Sequence, residues 1–271
     1  MSSEQSSSDI ILAQYSYPLY ICASSKEFFV VDKTGDVIGV HDLATLEQKR
    51  FIVPDQDKGL PVGVAAGSKD ELHFLYRGSV DIFLPNGKGN YEAIPSRTIP
   101  IDMNGKDPDA IAVSKAGDLA ITFYGTNNIF LLKACSPEKP TIYECPSAIR
   151  ACGVAFCDDG KLVISDVRQE TIHVIDTRDT STHPTFTFNT KDVNVGTRTY
   201  PCSIAVYDEM VVVAERSMGL AVFSLTTGAL LKRKPYPNSH PFYVAVSPKG
   251  QVFLSAMKRV FVSKTFLDDL M

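Results

Sequence analysis

The chain has 271 residues, with 27 Lys+Arg against 31 Asp+Glu (formal net charge −4), 44% hydrophobic residues, 17 Gly, 16 Pro, six Cys and no Trp. That apolar fraction excludes a disordered chain, and the acidic balance excludes a surface that coats nucleic acid throughout, although a local basic face is still allowed. No apolar run approaches the roughly 20 residues needed to cross a bilayer, and Met1–Ser8 lacks the basic and apolar regions of a secretory signal, so a cytoplasmic protein is expected.

In chain order, residues 1–9 read as a flexible serine-rich leader, and Ile10–Tyr15 is an apolar segment with no unit of its own. From residue 18 a short pattern recurs: Pro18-Leu-Tyr-Ile-Cys-Ala23, Pro61-Val-Gly-Val-Ala-Ala66, Pro108-Asp-Ala-Ile-Ala-Val113, Ala151-Cys-Gly-Val-Ala-Phe156, Pro201-Cys-Ser-Ile-Ala-Val206 and Pro241-Phe-Tyr-Val-Ala-Val246. The starts at 18, 61, 108, 151, 201 and 241 are spaced by roughly 40–50 residues, the period of a propeller blade. The distance from 241 through the chain end and round to 18 is about one more period. That spacing predicts a closed ring of six units, so residues 10–271 form one domain.

The columns are coherent. The fourth position is always β-branched (Ile21, Val64, Ile111, Val154, Ile204, Val244) and the fifth always small (Cys22 and five alanines), as crowded inner strands require. Each unit continues through a turn into a second strand: Phe28–Val31, Leu72–Leu75, Leu119–Phe123, Leu162–Ser165, Met210–Ala214 and Val252–Ser255. Third strands follow at Val37–Val40, Val80–Leu84, Ile129–Leu132, Ile172–Ile175, Leu220–Leu225 and Val260–Val262. Variable fourth strands are visible at Thr141–Glu144, Thr185–Phe188 and Leu230–Lys232. The last unit shows no fourth strand after Ser263, so Ile10–Tyr15 is expected to pair there and close the ring. The expected fold is all-β: a six-bladed β-propeller of four-stranded antiparallel blades, with the N-terminal strand in the last blade.

The unit P-x-x-[IV]-A-V, a turn with Gly, a strand ending near Asp, a polar loop and an apolar strand resembles the NHL repeat. Cys152–Asp166 and Pro108–Ile121 are the closest copies. The resemblance spans nearly the whole chain on short motifs. It implies a six-bladed propeller like the C-terminal NHL domain of tripartite-motif proteins, which binds proteins or single-stranded RNA. The sequence departs from the pattern where the Asp ending the second strand is kept only at Asp32 and Asp166; Tyr76 or Arg77, Tyr124, Glu215 and Met257 stand elsewhere. No RING or B-box zinc pattern is present, and neither the Trp-Asp nor the kelch Gly-Gly signature appears.

In such a ring the loops entering the inner strands and those joining strands two and three share one face. The candidate partner-binding face is therefore Tyr17, Arg77, Asp107, Tyr124, Arg150, Asp166, Arg168, Tyr200, Glu215, Arg216, His240, Lys258 and Arg259. Arg and aromatic residues favour interaction hot spots, so a protein or peptide partner ranks first. RNA is the alternative, through Arg77, Arg150, Arg168, Arg198, Arg216, Lys258 and Arg259, diluted by Asp32, Asp107, Asp109, Asp166 and Glu215. A metal-dependent lactonase- or esterase-like propeller ranks third. Its acids would be Asp107, Asp109, Asp166 and Glu215, but His41, His73, His173, His183 and His240 fall at non-equivalent places. No catalytic or metal residue and no cofactor is assigned, and a monomeric scaffold rather than an enzyme is expected. The thiols read as free, with a Cys135–Cys145 bridge as the alternative. Lys232-Arg-Lys234 reads as edge lysines deterring strand addition. Thr265–Met271 reads as either a tail or a strand extension.

Overall fold

A computed structural model describes residues 9–12, 15–55, 57–86, 91, 95–102, 106–124, 126–134, 136–144, 150–178, 184–191 and 196–270. Six four-stranded antiparallel sheets form the blades of a propeller. Blade 1 holds β2 (Pro18–Ala23), β3 (Glu27–Asp32), β4 (Val37–Asp42) and β5 (Gln48–Ile52), and blade 2 holds β6 (Gly63–Ala66), β7 (Leu72–Leu75), β8 (Ser79–Phe83) and β9 (Arg97–Pro100). Blade 3 holds β10 (Pro108–Val113), β11 (Leu119–Phe123), β12 (Asn128–Lys133) and β13 (Ser136–Glu144). Blade 4 holds β14 (Ala151–Phe156), β15 (Leu162–Asp166), β16 (Thr171–Ile175) and β17 (Phe186–Asn189). Blade 5 holds β18 (Pro201–Tyr207), β19 (Met210–Glu215), β20 (Gly219–Ser224) and β21 (Leu230–Lys234), and blade 6 holds β22 (Tyr243–Val246), β23 (Val252–Ala256), β24 (Arg259–Ser263) and β1 (Ile10–Leu12).

The ring closes as the sequence predicts. β1 pairs antiparallel with β24, Ile10 opposite Val262 and Leu12 opposite Val260. Asp9 reinforces the closure, accepting from Lys234 Nζ at 2.7 Å and from the Tyr236 hydroxyl at 2.8 Å.

The blades are flat layers, each pressed between two others. Phe28 and Phe29 are consecutive, so their side chains leave β3 on opposite faces, yet both are fully buried. Phe28 packs in the apolar layer shared with blade 6, and Phe29 in the layer shared with blade 2. Burial on both faces makes the middle strands continuous apolar runs rather than alternating ones.

Contacts settle two segments that the sequence left open or read by position. Lys232-Arg233-Lys234 lies on the outermost strand of blade 5, as expected, but each cation is paired: Lys232 meets Asp269 at 2.7 Å, Arg233 meets Glu215 at 3.0 Å and Lys234 meets Asp9 at 2.7 Å. The triplet ties both chain ends to blade 5. The C-terminus forms no strand extension. Phe266 and Leu267 bury between blades 5 and 6, and a single 3₁₀ turn, Asp268–Leu270, follows. No helix among the described residues is long and apolar enough to cross a membrane. Cys22, Cys152, Cys157 and Cys202 are free; Cys135, Cys145, His183 and the leader through Ser8 lie outside the described residues.

Candidate functional site

The second residue of each repeat builds the centre of one face. In blades 1, 3, 4 and 5 the pairing of inner and second strands slips at this position, between Pro18 and Tyr20, Pro108 and Ala110, Ala151 and Val154, and Pro201 and Ser203. A bulge re-aims the side chain it carries; here Leu19, Asp109, Cys152 and Cys202 turn toward the axis. The backbone groups released by the slip are caught elsewhere, as buried polar groups require. Ser255 Oγ donates to the Leu19 carbonyl at 2.8 Å, Thr122 Oγ1 to that of Cys152 at 3.1 Å, and Gly153 N–H to Ser165 Oγ at 2.8 Å. Gly153 has to be glycine, because a Cβ there would lie 2.8 Å from the Ser203 Cα of the adjacent blade.

The third position explains the floor. Blades 2–5 carry Gly63, Ala110, Gly153 and Ser203 there, whereas blades 1 and 6 carry Tyr20 and Tyr243. The two rings pack at 4.5 Å between centroids, and the Tyr243 hydroxyl reaches across to donate to the Asp109 carbonyl of blade 3 at 3.2 Å. Burial pushes the Tyr20 hydroxyl up to about 12. The tyrosine pair thereby sits across the axis, below a mouth of about 450 Å³.

Arginines rim this mouth. Arg150 stacks over the Tyr124 ring (4.2 Å to the centroid), Arg198 over Tyr200 (4.6 Å) and Arg216 over Phe242 (5.5 Å). Arg168 completes the rim, its carbonyl accepting from Arg198 Nη2 at 2.8 Å. Arg198 also meets buried Glu170 at 2.7 Å. Tyr200 holds a left-handed backbone (φ 51°) uncommon for a bulky residue. Its carbonyl accepts from Arg216 N–H at 3.1 Å, which ties two rim residues together.

Asp109 is the single acid lining the mouth among the described residues. Burial raises its carboxyl to about 6, against the opposing pull of the Cys152 thiol and the Arg150 guanidinium. Burial also pushes the Cys152 thiol far up and the Cys202 thiol up to about 11, so both are protonated and present neutral, soft packing surface.

Of the face expected from sequence, the mouth gathers Tyr124, Arg150, Arg168, Tyr200 and Arg216. Tyr17 packs beside Phe242 outside it, and Arg77 and Asp107 pair with each other at 3.4 Å. His240, Lys258 and Arg259 are exposed on blade 6 away from the mouth. Asp166 and Glu215 are fully buried. Asp166 accepts from the Arg168 and Gln169 N–H groups at 2.7 and 3.0 Å, and Glu215 takes Arg233 in a two-pronged pair with both distances 3.0 Å. Asp166 takes both turn donors on Oδ1 while its buried Oδ2 has no hydrogen-bond partner, and Glu215 is occupied by its guanidinium; neither carboxylate lines the mouth. Sequence reasoning left Tyr20, Cys152, Cys202, Phe242 and Tyr243 off the face, weighed Arg198 only as a charge, and weighed Asp109 as a charge and as an acid of the lactonase-like alternative. The missing signal was the variation of the second and third repeat columns, from Leu to Asp, Cys and Phe and from Gly to Tyr, beside the constant fourth and fifth.

Among the described residues no three His, Cys, Asp or Glu side chains converge to hold a metal ion. His41, His73 and His173 are buried in the blades rather than lining the mouth.

No protein-family model matches the chain, and no curated protein matches it in sequence. Solved structures match it in shape. Selenomethionine virginiamycin B lyase from Staphylococcus aureus superposes with TM-score 0.68 at 14% identity, covering 94% of this chain and 97% of that one. A catalytically inactive histidine-to-alanine variant of the S. aureus lyase with quinupristin gives 0.63 at 15%, covering 92% and 80%. A streptogramin B lyase gives 0.63 at 13%, covering 94% and 96%. Similarity at that identity is one of fold, and by its sheets and its neighbours the chain is a six-bladed β-propeller.

Proposed function

We propose that the chain is a non-catalytic binding module that holds a protein or peptide partner at the arginine-rimmed mouth. One observation carries this reading: four guanidiniums surround a pocket floored by aromatic rings, and its one carboxyl is raised by burial to about 6. Cations above an apolar floor suit an anionic segment that buries a side chain, and Arg and aromatic residues supply most hot-spot energy. Single-stranded RNA binding is the second reading, since guanidinium planes also stack on bases. A groove tracking the backbone is the usual device for RNA, and a pocket floored by a tyrosine pair suits a side chain better. A lyase-like activity has the fold of its neighbours in support, but no histidine among the described residues lines the mouth.

The test is affinity capture from native cell extract with the wild-type chain and with Tyr200→Ala/Arg168→Ala/Arg216→Ala, each with and without nuclease. Protein partners that survive nuclease and are lost from the triple variant are expected. Capture that vanishes with nuclease favours RNA, and capture unaffected by the variant removes the mouth as the site.

A further inference from the structure

A second cleft adjoins the mouth on the same face. It has a volume of about 300 Å³ between blades 1 and 2, with an apolar floor including Val31, Leu60 and Val62. Lys33, Lys58 and Arg77 line it, and it shares Leu19 and Tyr20 with the mouth. The two hollows therefore repeat one design, a small apolar floor under cations, with a single Leu–Tyr step between them.

The charge is local. Three cations line the cleft and four the mouth, with Asp109 the one acid lining either. Lys58 is held by buried Asp81 at 2.6 Å, Arg77 by Asp107 at 3.4 Å and Arg198 by Glu170 at 2.7 Å, so Lys33, Arg150, Arg168 and Arg216 carry the surplus. A comparable hollow lies at the other ends of blades 4 and 5, where the strand-one-to-strand-two turns gather. It has about 460 Å³ and is lined by Asp158, Asp159, Asp208 and Glu209 with Lys161 the one lining cation, while Lys115 holds Asp158 at 2.6 Å. Asp36 and Asp55 line a further hollow beside the cleft, sharing Leu60 with it, so the surplus of cations is confined to the mouth and cleft, and an anionic partner is steered there.

Resting on the binding reading above, we infer that the mouth and cleft together take one extended acidic peptide with two apolar anchor residues. One anchor sits in each hollow, and carboxylates between and beside them face the rim cations. The floors demand apolar side chains because burying an unpaired charge there is costly. The rims favour acids because Lys33, Arg150, Arg168 and Arg216 exceed the one lining acid, Asp109. Two linked anchors bind far more tightly than either alone, since the second engages at high effective concentration.

The test uses fluorescein-labelled peptides of alternating Glu and Gly that carry two Leu at a series of spacings, one Leu or none, with an oligouridylate of equal charge beside them. Binding is read by fluorescence anisotropy. Lys33→Glu/Arg77→Glu alters the cleft and Arg168→Glu/Arg216→Glu the mouth; all four side chains are exposed, and thermal melts confirm folding. A best-spaced two-Leu peptide is expected to bind at least tenfold more tightly than the one-Leu peptide. The cleft variant should reduce it to the one-Leu level, and the mouth variant should weaken every peptide. Equal affinity of one- and two-Leu peptides, or indifference to the cleft variant, overturns the two-anchor inference and leaves the binding module standing. Tighter binding of oligouridylate than of any peptide overturns both.

Discussion

Glu215 and Arg216 are consecutive, yet Glu215 is fully buried in a two-pronged pair with Arg233, whereas Arg216 lies exposed over the Phe242 ring. The same split recurs in blades 4 and 1. Asp166 is buried against backbone donors while Arg168, two residues on, rims the mouth, and Asp32 accepts from Ser16, Tyr17 and Thr34 N–H groups while Lys33 lines the cleft. An acid ending the second strand is drawn inward to satisfy the turn's N–H groups or a neighbouring guanidinium. The following cation has no such partner inside and stays outside. In these three blades a buried acid thus lies under an exposed cation, which is how an acidic chain gathers cations at the mouth and cleft.

The largest test of that layering is Arg233→Ala. It removes the guanidinium paired with the buried Glu215 carboxylate and should cost about 3–5 kcal/mol, read as a lowered denaturation midpoint. A small loss would mean that the buried layer is not structural.

Asp109 lies between the two layers, and its expected effect is smaller. Its carboxyl sits at about 6 in the folded chain against an ordinary 3.8, so between those values the folded state binds more protons than the unfolded one. Stability should therefore fall as pH rises from about 4 to 6, and Asp109→Asn should remove that slope. The variant should gain at most about 3 kcal/mol at neutral pH, less with the solvent screening of a half-buried site. Thermal melts across that pH range decide it; a slope that survives in Asp109→Asn places the titration elsewhere.

The smallest expected effect belongs to the rim. Arg216→Ala removes a guanidinium from the Phe242 ring and should cost only about 0.5–1 kcal/mol of stability. A loss like that of Arg233→Ala would erase the distinction between layer and rim.

The strands were largely legible because an inner or middle strand is buried on both faces. Leu72–Leu75 and Leu119–Phe123 match their sequence bounds, and the Ile10–Tyr15 segment closes the ring through Ile10–Leu12. The outer strands Gln48–Ile52 and Arg97–Pro100 were not named in the sequence reading, because each mixes polar with apolar residues and lies mostly open to solvent. The site was half legible. Loop position marks a face, and that found Tyr124, Arg150, Arg168, Tyr200 and Arg216. It could not tell a carboxylate pointing in, as at Asp166 and Glu215, from one pointing out.

By itself the sequence determined the number of blades, the closure of the ring and the small residues at its crowded axis, because each follows from a pattern repeated at fixed spacing. The tertiary structure alone decided which side chains meet. The bulges aim the second repeat column at the axis, Tyr20 and Tyr243 floor the mouth, and the Lys232–Lys234 triplet binds both chain ends. Those outcomes depend on contacts between blades far apart in sequence, which no local pattern encodes.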